Sequence, residues 1–186
     1  MTAPLLKPMS IEAFLAFAQA QERGRFELWG GEVVAMAPER AEHVRAKASI
    51  WRGLQAAIER QGLPCEAFVD GLSVVIDANT VYEPDVLINR GVAVADESLL
   101  APFPIVIVEV VSPSSGNRDR SLKLEGYFRV ASVAHYLVVD LSNRLVLHYS
   151  RDGDARIALS IVRDGVLKLD PPGLDLSWSE IFKQLA

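Results

Sequence analysis

The feature that most constrains the fold is an apolar run near the middle of the chain, Ile105-Val106-Ile107-Val108-Glu109-Val110-Val111. Only Glu109 interrupts it. A run of this length and composition predicts a strand that is buried on both faces, at the centre of a sheet. The carboxylate of Glu109 is therefore expected inside or beside the core, where an unpaired charge costs several kcal/mol, on the order of the penalty for any buried ion.

Segments with helical and with strand patterns surround this run. Two short apolar segments flank Gly30-Gly31, which predicts a β-hairpin. The sequence as a whole predicts an α/β (α+β) fold, with a central mixed β-sheet flanked by helices and preceded by an N-terminal helix and the hairpin. The predicted helices are Ser10–Gln21, Ala41–Gln61, Arg118–Ala131 and Ser177–Leu185, and the predicted strands are Phe26–Trp29, Glu32–Met36, Glu66–Val69, Leu72–Ile76, Pro84–Ile88, Ile105–Val111, His135–Val139, Arg144–Tyr149 and Ala155–Ile161.

The longest predicted helix has a regular apolar pattern. Val44, Ala48, Trp51, Leu54 and Ile58 recur at steps of three and four residues, the spacing of one helical face. Gly62 follows the pattern and is expected to end the helix.

Composition narrows the class of protein. Half of the 186 residues are apolar and 23% are charged, which predicts one soluble globular domain over residues 1–186, with a core of about residues 26–140, and excludes a disordered tail. The single cysteine, Cys65, excludes a disulfide framework. No apolar run reaches the roughly 18–20 residues that cross a bilayer, and the N-terminus has no apolar signal core, so we expect a cytoplasmic protein without membrane contact.

The net charge of −5 argues against a general nucleic-acid coat protein, which needs a basic surface. It does not exclude an enzyme that contacts a few phosphates. The chain has no P-loop and no G-x-G-x-x-G motif, so nucleotide-cofactor chemistry has no support.

Two acidic residues on neighbouring predicted strands are the best candidates for chemistry. Asp85 follows Pro84 at the start of one strand, and Glu109 lies within the next. Two carboxylates side by side repel each other, and a divalent cation such as Mg²⁺ or Mn²⁺ relieves that repulsion. The competing interpretation is a structural one, in which Glu109 lies at a strand end and pairs with an arginine.

Lys123 is the third candidate. On a helical wheel it lies away from Arg118, Glu125 and Arg129, which form the solvated face, so we expect it to point toward the sheet. There it would orient an attacking water or stabilise charge on a phosphoryl oxygen. The alternative is a surface ion pair with Asp119, four residues earlier.

Three further residues are weaker candidates. His43 opens the long helix and is expected either to face the cleft or to lie at the surface. Glu27 and Glu32 bracket the hairpin turn and are candidates to contribute to an acidic site, although exposure is the expectation on a short hairpin.

Several motifs occur in the order found in one family of bacterial proteins. The segment from Phe26 to Val33 resembles the "Y-E-L-I-D-G-E" opening of the Uma2 family, and Glu83-Pro84-Asp85 resembles its strand-borne Pro-Asp. Val108–Ser114 resembles "V-E-V-x-S-P-S". Pro38 and His43 resemble the segment of the family in which a histidine begins the long helix. Arg118-Asp119-Arg120, with Lys123 and Tyr127, resembles its "R-D-x-x-x-K-x-x-x-Y" helix, and His135–Asp140 resembles the strand that follows.

The resemblance implies a restriction-endonuclease-like core of the PD-(D/E)xK superfamily. By position, Asp85 and Glu109 become ligands of Mg²⁺ or Mn²⁺, with the Val110 carbonyl as a further ligand, and Tyr127 is a supporting residue. The lysine of that motif stands two residues after the second acid, where this chain has Val111. Lys123, one helix later, is the expected replacement.

Two principal functions follow from these expectations. The first is a metal-dependent endonuclease that hydrolyses phosphodiester bonds of nucleic acid, most simply DNA, with Asp85, Glu109 and Lys123 as catalytic residues. The second is a module that keeps the nuclease fold without catalysis and binds nucleic acid or protein. Hydrolysis of another phosphate ester is a lower alternative. A homodimer is expected because duplex cleavage needs two active sites, with the apolar terminal helices as the contact surface.

Overall fold

The computed structural model describes residues 8–111, 117–153 and 156–182. Within these residues the chain forms four helices and twelve strands. The helices are α1 Ile11–Gln19, α2 Ala41–Gln61, α3 Asn117–Arg129 and α4 Trp178–Phe182, and the strands are β1 Phe26–Trp29, β2 Glu32–Ala35, β3 Cys65–Val69, β4 Val74–Asp77, β5 Thr80–Tyr82, β6 Val86–Arg90, β7 Pro104–Val111, β8 His135–Asp140, β9 Leu145–Asp152, β10 Arg156–Val162, β11 Val166–Leu169 and β12 Leu174–Ser177.

The principal sheet has six strands in the order β10-β9-β8-β7-β6-β3. The pair β7–β8 is parallel and the other pairs are antiparallel, so the predicted mixed sheet is confirmed. A parallel pair requires a crossover between its strands, and α3 lies in the connection between β7 and β8.

Both faces of β7 are covered, as the apolar run predicts. Val106, Val108 and Val110 belong to a core that also contains the buried face of α2. Ile107 and Val111 belong to a second core, on the opposite face, with residues of α3. The alternation of strand side chains therefore directs Glu109, which lies between Ile107 and Val111, toward α3.

A second sheet, in the order β2-β1-β5-β4, contains the predicted hairpin. It contributes Trp29 and Tyr82 to the α3-side core. Gly126 of α3 lies so close to Tyr82 that a Cβ atom built on this glycine would be 2.6 Å from the Tyr82 ring. A glycine at this position lets α3 approach the second sheet, and this approach places one turn of α3 over Glu109.

The structure corrects several sequence expectations. Strands β5, β11 and β12 were not predicted, because each is short and is stabilised by pairing with a neighbour. In α2 the buried face is rotated from the predicted one: Val44 is 52% exposed and Lys47 is 1% exposed. The rotation arises because α2 packs on the sheet and also on α4 and β12. The last helix begins later than predicted, at Trp178, and residues 183–186 lie outside the described residues.

No helix in the described part of the chain combines the length and the apolar character needed to span a bilayer.

Candidate active site

Glu109 and Lys123 meet near the carboxyl end of β7. Lys123 Nζ lies 2.8 Å from Glu109 Oε1, and the two side chains are 13% and 12% exposed. Surroundings with little water strengthen this ion pair relative to one on the surface. The orientation of Lys123 toward the sheet agrees with the helical-wheel expectation.

Glu27 of β1 completes the surroundings of the Lys123 ammonium group. Its Oε1 lies 2.9 Å from Lys123 Nζ and accepts a hydrogen bond from the Glu83 backbone N–H, while its Oε2 accepts one from Trp29 Nε1. Glu27 is 5% exposed, so the expectation of an exposed carboxylate here is wrong. The reason is that β1 pairs with β5, which brings the hairpin into the core instead of leaving it in solvent.

Asp85 approaches Glu109 from the neighbouring strand. It lies directly before β6, whose pairing begins after Pro84, a residue without a backbone N–H. Asp85 Oδ2 accepts a hydrogen bond of 2.6 Å from the Val110 N–H. Because the N–H and C=O of one strand residue point to the same side, the Val110 carbonyl also lies on the Asp85 side.

Tyr127 fixes the position of the Glu109 carboxylate. It is fully buried, and its hydroxyl donates a hydrogen bond of 2.7 Å to Glu109 Oε1. Burial, together with the negative charges of Glu109 and Glu27, raises the pKa of Tyr127 well above its usual value, so it remains a donor. Within the described residues, Glu109 Oε2 and Asp85 Oδ1 accept no hydrogen bond.

Burial controls the ionisation of this site. It raises the pKa of Glu109 to about 7; Lys123 opposes the rise, and the charges of Asp85 and Glu27 add to it. It also raises the pKa of Asp85, against the Val110 hydrogen bond. For Lys123, burial lowers the pKa, but Glu109 and Glu27 outweigh burial and raise it, so the amine remains charged. The carboxylates of Glu27 and Glu109 thus pair with the Lys123 ammonium group, and Asp85 adds a third acidic group near them, so the site has an excess of negative charge that favours a further cation.

A second cation-centred cluster lies on the α2 side of Asp85, and we call Lys47, Arg25, Glu39 and Asp70 the Lys47 group. Lys47 Nζ lies 2.7 and 3.0 Å from the two Asp70 carboxylate oxygens and 3.6 Å from Asp85 Oδ1, and it also donates to Glu39. Arg25 lies 2.9 Å from Glu39 and 2.8 Å from Asp70. Asp85 is therefore shared between two lysine-centred clusters.

The remaining predicted residues lie elsewhere. Glu32 is exposed on β2, and the structure does not bring it into either cluster. His43 is half-buried in the first turn of α2, one turn before Lys47. The backbone of Asp119 lies in α3, but its side chain lies outside the described residues.

Sequence reasoning missed Lys47, although a signal for it exists. Lys47 precedes Leu54 by seven residues and Ile58 by eleven, which places it on the face of α2 that those leucine and isoleucine residues bury. A lysine in the middle of an apolar helical face needs a partner inside the protein.

Comparison with known proteins agrees with the fold and the motifs. The Uma2 family model, described as "Putative restriction endonuclease", matches residues 11–181. The chain belongs to the Uma2 family. One relative, the "Uncharacterized protein sll1609" of Synechocystis sp. (strain ATCC 27184 / PCC 6803 / Kazusa), is 30% identical over 146 residues, which cover 76% of this chain and 80% of that protein.

The fold of this Uma2 protein also matches a solved structure, "a putative nuclease belonging to DUF820" from Anabaena variabilis ATCC 29413. The TM-score is 0.74 at 14% sequence identity, and the match covers 96% of this chain and 100% of that one. At this identity the likeness shows the fold alone. It confirms the predicted restriction-endonuclease-like α+β architecture, while the roles of Asp85, Glu109, Val110 and Lys123 remain predictions.

Proposed function

We propose that this Uma2 protein is a metal-dependent endonuclease that hydrolyses phosphodiester bonds of DNA. The observation that carries the proposal is the position of Lys123, whose Nζ lies 2.8 Å from Glu109 and 2.9 Å from Glu27. The strand itself offers no amine at Val111, which is buried against the α3-side core. In the proposed site, the charged amine of Lys123 approaches Glu109 from α3 and takes the role of the missing lysine of the motif.

The donor atoms at this site fit a hard divalent cation. Asp85, Glu109 and the Val110 carbonyl would hold Mg²⁺ or Mn²⁺, which prefer oxygen ligands. In the described residues Asp85 Oδ1 and Glu109 Oε2 accept no hydrogen bond, although Lys47 Nζ lies 3.6 Å from Asp85 Oδ1. The excess negative charge of the site is of the sign that a cation requires. A bound ion of this kind lowers the pKa of water and polarises a phosphoryl oxygen.

The side chains around this position have distinct tasks in the proposed reaction. Lys123 remains protonated because its pKa is raised, so it donates hydrogen bonds to the attacking water or to a phosphoryl oxygen and does not act as a general base. Tyr127 and Lys123 both hold Glu109 Oε1, which leaves Oε2 directed away from them. The Val110 N–H holds Asp85 in the same way through Oδ2.

The alternative, a module that binds nucleic acid without cleaving it, is favoured by Val111 at the usual lysine position and by the net charge of −5. One assay separates the two functions. Purified protein is incubated with supercoiled plasmid in Mg²⁺ or in EDTA, as wild type, as Asp85→Asn and as the matched control Asp164→Asn, which changes an exposed aspartate. We expect cleavage in Mg²⁺ by wild type and Asp164→Asn only. Equal cleavage by Asp85→Asn would contradict the proposed site, and binding without cleavage by wild type would favour the alternative.

We propose also that the protein acts as a homodimer joined through β10. This strand pairs with β9 on one edge, and in the described part of the chain no strand pairs with the other edge. Ile157, Leu159 and Ile161 share one face of β10 and are 44%, 52% and 59% exposed. Antiparallel pairing of two copies about Leu159 sets Ile157 opposite Ile161 of the partner subunit, so the apolar pattern complements itself.

The terminal helices are a poorer contact surface than the sequence suggested, because Phe14 of α1 and Phe182 of α4 are already buried in this chain. Light scattering after size exclusion tests the dimer. We expect a dimer for wild type and for the control Val92→Lys, which changes a residue that is 71% exposed elsewhere, and a monomer for Leu159→Lys. A monomeric wild type would contradict the dimer, and a dimeric Leu159→Lys would contradict this interface.

Two further expectations belong to the proposal. We propose that residues 1–186 act as one domain, which is supported by a shared core: Leu174, Leu176 and Ile181 near the C-terminus pack with α2 and β7. A cytoplasmic location, as expected from the sequence, would give the protein access to DNA.

A further inference from the structure

The three carboxylates around Lys47 are spaced as the ligands of a divalent ion are. One oxygen from each of Glu39, Asp70 and Asp85 lies within 4.8 Å of the other two. Ligands on opposite sides of Ca²⁺, each about 2.4 Å from the ion, are about 4.8 Å apart. Such spacing alone does not make a cation site, because acidic residues often lie together at protein surfaces.

The side chain of Lys47 supplies a cation to this cluster. The side chain of Lys47 is 2% exposed, and its ammonium group contacts all three carboxylates. A lysine on the buried face of α2 is placed there by packing, without the freedom of a surface side chain. The cation is thus built into the chain at the point where the three oxygens converge.

We propose that the Lys47 ammonium group stands in the place of a second divalent ion. It closes the Glu39-Asp70-Asp85 cluster to metal and, through Asp85, confines metal binding to the side that Glu109 occupies. Lys47 is in this account a positioning residue, since it acts on the candidate site through Asp85 and does not touch the reacting atoms.

The net charge of the three carboxylates determines how removal of Lys47 affects ion binding. The three carboxylates carry a formal charge of −3, and Lys47 reduces it to about −2. Arg25 pairs with Glu39 and Asp70 from a more exposed position, 31% exposed, and forms no ion pair with Asp85. A variant without the ammonium group therefore keeps three converging oxygens and loses the cation between them, so a divalent ion becomes the favoured replacement.

Calcium titration calorimetry tests the proposal with the full chain as Lys47→Ala, Lys47→Arg, wild type and the control Lys168→Ala, which removes an exposed lysine on β11. We expect Lys47→Ala to bind one Ca²⁺ per chain more than wild type, with affinity at least about tenfold tighter than any binding by wild type at this cluster. Lys47→Arg keeps a cation there and should match wild type, as should Lys168→Ala. A purely structural role for Lys47 would leave the number of bound ions unchanged.

Two outcomes would overturn the proposal: a folded Lys47→Ala with the calcium stoichiometry and affinity of wild type, or an additional ion in Lys47→Arg. If Lys47→Ala is unfolded without divalent ions, recovery of its circular dichroism and melting transition in millimolar CaCl₂, but not in NaCl of equal ionic strength, supports the proposal, and failure to recover contradicts it. The confinement of metal to the Glu109 side rests on the proposed function, whereas the number of ions bound at the Glu39-Asp70-Asp85 cluster does not depend on DNA cleavage. An inactive wild type would remove the nuclease proposal and leave this difference in ion number measurable.

Discussion

Lys47 and Lys123 lie on opposite sides of Asp85, and they differ in their surroundings. Lys123 is 13% exposed, and it contacts Glu27 and Glu109. The side chain of Lys47 is 2% exposed, and it is enclosed by Glu39, Asp70 and Asp85. In the described part of the chain, the Glu109 carboxylate that the first ammonium group contacts keeps one oxygen without a hydrogen bond, whereas the second ammonium group fills the space between its three carboxylates.

This difference in surroundings indicates different roles for the two lysines. The Lys123 ammonium group contacts two carboxylates and remains partly exposed, so it can bind a substrate phosphate or a water without breaking its ion pairs. The Lys47 ammonium group is surrounded by carboxylates that neutralise its charge, and it stabilises the fold around it. We therefore expect substitution of Lys123 to affect cleavage most, and substitution of Lys47 to affect stability and ion number most.

The largest expected effect is on cleavage by Lys123→Met. Loss of the amine that stabilises developing charge should lower the single-turnover rate of plasmid cleavage by about 100-fold or more. Lys168→Met, which changes an exposed lysine, serves as the control and should cleave at the wild-type rate. A Lys123→Met rate close to that of wild type would remove the functional difference between the two lysines.

Lys47→Met should mainly change stability. Removal of the ammonium group leaves Asp70 and Asp85 without their buried counter-ion, so we expect the free energy of unfolding in urea to fall by about 3 kcal/mol. The fall should be larger than that of Lys123→Met measured in parallel. The reverse order of the two losses would contradict the assignment of Lys47 as the structural cation.

The pH dependence of stability should separate the Glu109 side from the rest of the molecule. The pKa of Glu109 is raised to about 7 in the folded protein, so its contribution is fully present below its unfolded pKa and is lost as the pH rises through about 7. In EDTA, the unfolding free energy of wild type relative to Glu109→Gln should therefore decrease from pH 4.5 to pH 7.5, by of order 1–3 kcal/mol. A constant difference across this range would show that Glu109 is not perturbed.

The smallest expected effect is that of Tyr127→Phe. It removes one hydrogen bond to Glu109 Oε1 and leaves the one from Lys123, so we expect cleavage to slow by about tenfold or less and stability to fall by about 1 kcal/mol. A larger loss of activity than in Lys123→Met would mean that the hydroxyl, and not the amine, holds Glu109 in place. Melting curves and plasmid cleavage on the same preparation measure both quantities.

The sequence was most informative where a pattern had a single physical solution. The apolar run of β7, interrupted only by Glu109, is typical of a strand covered on both faces, and the wheel position of Lys123 predicts its orientation correctly. It was least informative where tertiary pairing decides the result. Glu27 lies in a short hairpin whose burial depends on pairing with β5, a strand of three residues that the sequence pattern does not predict. Lys47 lies outside the apolar face that the sequence predicts for α2, which begins at Val44. Packing against α4 and β12 turns the buried face away from Val44 and toward Lys47.

Manganese binding tests the central claim most directly. Calorimetric titration of wild type, Asp85→Asn and Glu109→Gln, with Glu97→Gln as a control for an exposed glutamate, measures whether the two strand acids share one ion. We predict one Mn²⁺ per chain for wild type and for Glu97→Gln, and a loss of affinity of at least about tenfold in both Asp85→Asn and Glu109→Gln. Unchanged manganese affinity in both of these variants would show that Asp85 and Glu109 do not hold a common metal ion.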